Sequence, residues 1–283
     1  MSNSFVIHII IASTFCCDNN KLSLFQLQQY MILKMAVEKS AVPFVKLMRQ
    51  RTKNIHDRSD ALVNLKLGLT LSDETIWSEG ILTFTNIFLF LEEALDRNSD
   101  SLLGDLDVDG LRRTKAFEKD LESFYGEKWK NNLKEMKDTP AVQNYISHLK
   151  HVESENPYLL SAYIYHLYMG LLSGGQILSA KKKITRQTDD SKGEEIFKVD
   201  KPNSVSSLKK QIREAMQNMS EHFDEELKDN ILNEGVRVFE LNNTLIHSVK
   251  GVDEAFWKLT KKLLAIAFIF ILLSYFIARW FNQ

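Results

Sequence analysis

The sequence predicts an all-α protein: one helical domain followed by one apolar C-terminal helix. Three observations carry this. Apolar residues recur at spacings of three and four along most of the chain, the period of an amphipathic helix. Only 4 prolines and 11 glycines interrupt its 283 residues. No two alternating apolar runs are joined by Asn-Gly or Asp-Gly, the strongest short-range hairpin signal. Apolar residues at 44% give enough material for a sizeable core, and a net charge of -1 gives no reason to expect nucleic acid as a partner. Both cysteines, Cys16 and Cys17, are adjacent, so the fold needs no disulfide framework.

The elements follow in order. Residues 1–34 form an N-terminal extension. Its apolar stretch at 5–17 is short and lacks the basic start of a signal peptide. From Met35, "MAVEKSAVPFVKLMRQ" reads as the opening of a compact domain that runs to residue 250. Its first helix is expected over about 42–64, where Phe44, Leu47, Met48, Arg51 and Ile55 share a face. Ser72 is the expected cap of a helix running to residue 98, with Asp73 and Glu74 favourably placed in its first turn. Shorter helices are expected near 110–123, 127–136 and 140–153, then one long helix over about 157–185. The polar stretch 187–206 reads as a loop, and helices over 207–219 and 221–249 close the domain. Residues 251–262 are assigned as a linker.

Residues 263–278 are a charge-free apolar run between Lys261-Lys262 and Arg279. As a helix this run spans about 24 Å, against about 30 Å for a bilayer core. Snorkelling Lys and Arg stems, with Trp280 and Phe281 at the interface, must supply the difference. The expectation is a single transmembrane anchor over 263–281 that leaves the domain on the cytosolic side.

Few residues are placed for chemistry. No histidine pair with carboxylate or Cys partners makes a convincing metal cluster. Ser173 in "LLSGG" lacks the strand-to-helix turn and the Gly-x-Ser-x-Gly pattern of a nucleophile elbow. More informative is "MGLLSGGQ" (169–176), because each of Gly170, Gly174 and Gly175 costs a helix about 1 kcal/mol relative to alanine. His56 lies in "RTKNIHDRSDALVN", with Lys53 and Arg49 three and seven residues before it on roughly the same face. Lys209 and Arg213, four apart, can converge on one anion. Each feature alone suits an ordinary solvated or core helix. Together an imidazole, a side-chain-free backbone and two basic pairs make a slot for a flat dianionic porphyrin. A single proximal His leaves the opposite haem face open to oxygen.

The chain resembles the haem oxygenases of the eukaryotic, membrane-tethered type. "TKNIHDRSDALVN" (52–64), "LEEALDRN" (91–98), "FYGEKW" (124–129), "TPAVQNY" (139–145) and "LSGGQIL" (172–178) carry the resemblance, in the right order. It implies a single all-α domain holding haem b, both substrate and prosthetic group, between a proximal and a kinked distal helix. His56 is then the iron ligand, and Gly170, Gly174 and Gly175 form the kink. Arg49, Lys53, Lys209 and Arg213 are propionate partners, and Asp60 is the acidic residue near the proximal pocket. Tyr165, Phe239 and Asn242 border the haem. The implied activity is cleavage of haem to biliverdin, Fe2+ and CO. It uses O2 and NADPH electrons delivered by a cytochrome P450 reductase-type flavoprotein at the endoplasmic reticulum membrane.

Departures from the family pattern bear on that activity. Leu171 stands where the family has a distal aspartate, and Leu167 and Thr85 stand where it has a distal Arg and Tyr. Leucine neither donates nor accepts a hydrogen bond. Two readings follow: cleavage with water held by backbone carbonyls, Thr85 or Asn86, or a haem carrier or sensor that has lost ring oxidation. A tail-anchored helical adaptor without ligand is the third. The cluster Lys181, Lys182, Lys183 and Arg186 suits either a solvated helix end or a docking patch for an acidic reductase surface.

Overall fold

The computed structural model describes residues 42–63, 73–185 and 192–281, and every regular element among them is helical. The N-terminal extension, both cysteines, Ser72 and Arg186 lie outside the described residues. The chain divides into two units, and the elements below belong to the second, Phe44–Gln283.

Helix α1, Phe44–Leu62, buries Phe44, Met48, Thr52 and Ser59 along one stripe. Helix α2, Glu74–Arg97, begins one residue later than expected because Asp73 is its cap. The Asp73 carboxylate accepts from the amides of Thr75 (3.0 Å) and Ile76 (3.3 Å), satisfying two of the donors a helix start leaves open. Around α2 pack α3 (Thr114–Tyr125), α4 (Trp129–Lys137) and α5 (Pro140–Glu155). Pro140 opens α5, where a missing N–H does no harm.

The long helix expected over 157–185 is instead three pieces. Helix α6, Leu160–Gly170, passes into a π-helical turn at Leu171–Gly175 and then into α7, Gln176–Thr185. Helix α8, Val205–Ser220, is capped by Ser204, and α9, Glu225–Ser248, by Asp224. Helix α9 packs against both α1 and α6 and is the wall they share.

A buried carboxylate joins three of these elements. Glu92 on α2 accepts from the amides of Arg113 (2.5 Å) and Thr114 (3.0 Å) and from the Tyr168 hydroxyl (2.9 Å). Arg113 has no side-chain cap of its own, so Glu92 caps α3 from outside and ties it to α6. Burial and that carboxylate raise the Tyr168 pKa well above the usual phenol range, which keeps the donor protonated.

The assigned linker is helical. Helix α10, Val252–Phe281, runs without a break from three residues after α9. Among the described residues no helix is long and apolar enough to cross a membrane, so the expected transmembrane helix is not found. The apolar run is too short, about 24 Å at 1.5 Å per residue.

Replacing Glu92 with alanine strands two amides and a phenol in the core, each worth about 1–3 kcal/mol when unsatisfied. Urea denaturation of the variant is expected to show a loss of at least about 3 kcal/mol.

Candidate active site

His56 lies near the end of α1, half exposed, with Nδ1 3.3 Å from the Asp60 carboxylate one turn on. That contact fixes which nitrogen carries the proton and leaves Nε2 free as a ligand atom. The Phe239 ring of α9 packs edge-on to the imidazole at 5.3 Å. Asp60 therefore orients His56 rather than facing a ligand itself.

The three glycines divide in role. Their φ angles are not positive, so conformational freedom is not the reason for them. A Cβ added at Gly170 or Gly174 would meet nothing within 4 Å, so both present bare backbone to open space. Gly175 faces elsewhere. A Cβ there would lie 2.6 Å from the Phe197 ring, so this glycine admits Phe197 and does not line the slot. Leu171 leans the same way, with a methyl carbon 3.6 Å from that Cβ position.

Basic groups gather at one edge. The guanidinium of Arg213 on α8 lies near the buried Tyr165 hydroxyl of α6, and the charge of Arg49 on α1 reaches it as well. Burial nevertheless raises the Tyr165 pKa, so the hydroxyl remains a donor. Lys53 does not join them: its ammonium sits 3.3 Å from Asp57 on the exposed side of α1. Lys209 lies one turn before Arg213 on α8, half buried. Asn242 of α9 accepts from the Tyr145 hydroxyl at 3.1 Å. Thr85 and Asn86, the proposed holders of distal water, are already engaged. Thr85 donates to the Ile81 carbonyl and Asn86 to that of Leu133.

Sequence reasoning missed His166. It stacks edge-on to the far side of Phe239 at 5.2 Å, so Phe239 stands between two imidazoles. Its Nε2 is buried, has no hydrogen-bond partner, and lies 3.0 Å from the Cβ position of Gly235 on α9. Burial, with the His56 charge second, pushes its pKa down to about 3. Gly170 and Gly174 follow His166 at spacings of four, so they extend the face of α6 that His166 turns toward Phe239 and His56. No sequence signal marks His166, because its neighbours come from distant segments.

Among the described residues no three His, Cys, Asp or Glu side chains group to hold a metal ion. A lone, oriented imidazole is a ligand set for a metal that brings its other ligands with it, as haem does. The bare backbone and the cationic edge fit the flat ring and its carboxylates. A groove of about 360 Å³ is lined by Asn86 together with Phe90, Arg97, Lys137 and Glu153, and includes neither His56 nor the glycines.

The Heme oxygenase family model matches residues 42–248, the whole span that builds the slot. This chain belongs to the haem oxygenase family. Human heme oxygenase 1 is 29% identical over 211 residues, covering 72% of this chain and 70% of the human protein. The crystal structure of heme oxygenase 2 from Chlamydomonas reinhardtii without heme is 27% identical. It superimposes with a TM-score of 0.67 over 74% of this chain and 98% of that one. At 23% identity, Synechocystis heme oxygenase-1, solved in complex with heme, shares the fold with a TM-score of 0.67, covering 79% of this chain and all of that one.

Two outcomes follow from the slot. His56→Ala is expected to abolish the imidazole-ligated spectrum of added hemin, and free imidazole to restore it, with the helical circular dichroism unchanged. The second concerns acid stability. An unfolded His takes a proton below pH 6.5, whereas His166 refuses one until about pH 3. Its contribution is therefore fully present above pH 6.5 and is lost as pH falls, at about 1.4 kcal/mol per unit. His166→Leu should flatten the stability–pH curve by that one-proton slope between pH 6.5 and 3.

Proposed function

We infer that this protein cleaves haem oxidatively to biliverdin, Fe2+ and CO, using O2 and electrons from NADPH through a cytochrome P450 reductase-type flavoprotein. The observation that carries the reading is His56, oriented by Asp60, beside a helix whose next turns present bare backbone at Gly170 and Gly174. Haem, when bound, supplies the iron and the ring on which oxygen chemistry occurs.

The chain's own residues do the rest. His56 offers Nε2 to the iron, and Asp60 holds its Nδ1 proton. Arg49, Arg213 and the Tyr165 hydroxyl bind the carboxylate edge and set the ring's rotation in the slot. Gly170 and Gly174 leave room for a diatomic molecule, since nothing lies within 4 Å of a Cβ at either position. Leu171 brings no proton carrier, and Thr85 and Asn86 are bonded elsewhere, so protons must arrive by water held on backbone groups of the π-turn. Slow turnover is the expected consequence.

We also propose that α10 brings the domain to the endoplasmic reticulum membrane. Its described apolar side chains between Leu263 and Ile277 are exposed, with Phe270 and Ile271 each at 66%. Such a surface is unstable in water at about 25 cal/mol per Å² of apolar area.

The decisive assay titrates the full chain in detergent with hemin, then adds a reductase, NADPH, air and catalase. The expected result is a saturable Soret band that decays as biliverdin absorbance grows. A saturable band that persists would make the protein a haem carrier. Because Leu171 leans toward Phe197 rather than into the slot, Leu171→Asp alone should leave the decay within about tenfold of wild type, short of the gain of a positioned proton donor. A larger acceleration would show that a side chain at 171 reaches the slot. Sedimentation with vesicles should retain the full chain and lose one ending at Gly251.

A further inference from the structure

The junction between α9 and α10 is short and packed. Only Val249, Lys250 and Gly251 separate the two helices. Gly251 turns the chain at a φ of +80°, a conformation that side chains rarely adopt, and its carbonyl accepts from the Ala255 amide at 2.9 Å. Beyond the turn, Ala255 packs against Val249 and Ile76, which are 5% and 3% exposed and form an apolar cluster apart from the main core. Ile76 lies in the capped first turn of α2, so the base of α10 packs against a fixed part of the domain. No glycine or proline interrupts residues 252–281, and the helix is continuous.

Beyond its base, the side chains from Lys261 to Ser274 are exposed among the described residues, and the large apolar ones cover the full circumference. A helix apolar all round suits immersion, whereas a groove on one partner would cover a single stripe. Trp257, Lys258, Lys261 and Lys262 form a one-sided collar, within about 140° of one another around the helix, just before the apolar run, and the last acidic residue is Glu254. Such a collar is complementary to anionic lipid headgroups.

We propose that α10 is a rigid stalk, latched to the domain through Ala255, Val249 and Ile76 and seated in an anionic bilayer, so that the domain is held at one height and one tilt. The inference rests on the membrane reading of α10 above. From Val252 to Leu263 the stalk rises about 17 Å at 1.5 Å per residue, which keeps the domain against the headgroups rather than on a loose tether.

Energy transfer tests this on the full chain. Cys16 and Cys17 are replaced by serine, a donor dye is placed on Lys150→Cys, and acceptor lipids are included in phosphatidylserine vesicles. The stalk predicts one narrow transfer distribution. A flexible Gly/Ser insertion after Gly251 should broaden it about twofold or more, since such segments behave as random coils. Ala255→Asp should do the same through loss of the latch, with hemin titration confirming that the domain is intact. A wild-type distribution as broad as that of the insertion variant overturns the stalk while leaving the tether standing. Equal capture by vesicles with and without phosphatidylserine overturns the lysine collar. Failure of the full chain to bind any vesicle overturns the tether, and the stalk with it.

Discussion

The site depends on the position of α9. This helix packs against α1 on one side and α6 on the other, so it fixes the spacing between the element that carries His56 and the element that carries the glycine turn. Two residues of α9 show how tight the fit is. Gly235 lies so close to His166 that a methyl group there would sit 3.0 Å from the imidazole nitrogen, and 3.3 Å from Thr52 of α1. One turn on, Phe239 is wedged between the imidazoles of His56 and His166. Close-packed interiors transmit such constraints with little slack, so the geometry of the slot is a property of the three-helix junction rather than of any one motif.

Much of this was legible in the sequence because its causes are local. Helical periodicity and the proline at the start of α5 act within a turn of where they are written, and the ends of most helices lie within a few residues of expectation. His56 is legible from its basic neighbours and the resemblance, whereas its contact with Asp60, one turn on, comes from the structure. What was not legible depended on distant partners. Three glycines in one short stretch look equivalent, yet Phe197, from a later segment, makes Gly175 a packing position while its neighbours stay open. Residues 251–262 look like a linker because they are polar. Their helical start is instead held by Ile76, far away in the chain. Lys53 joins the cationic edge by spacing and resemblance, and the structure sets its ammonium 3.3 Å from Asp57, a partner one turn on.

The chemistry and the departures from the family meet on one side of the slot. The proximal side, with an oriented imidazole and a cationic edge near a buried phenol, is complete in its own residues. The distal side has room but no side-chain acid among the described residues, and its Thr is bonded within its own helix and its Asn to a neighbouring one. A π-turn places backbone groups where the family uses a carboxylate. Binding is therefore determined by residues that are present, and the rate by how well ordered water substitutes for one that is not.

The most direct measurement of the central claim is the resonance Raman spectrum of the ferrous haem complex, made with ¹⁵N-labelled histidine. The account predicts an iron–imidazole stretching band that shifts with the label, persists in His166→Leu and disappears in His56→Ala. A band that survives the loss of His56, or the absence of any label-sensitive band in the wild type, would contradict the proximal assignment on which the slot rests.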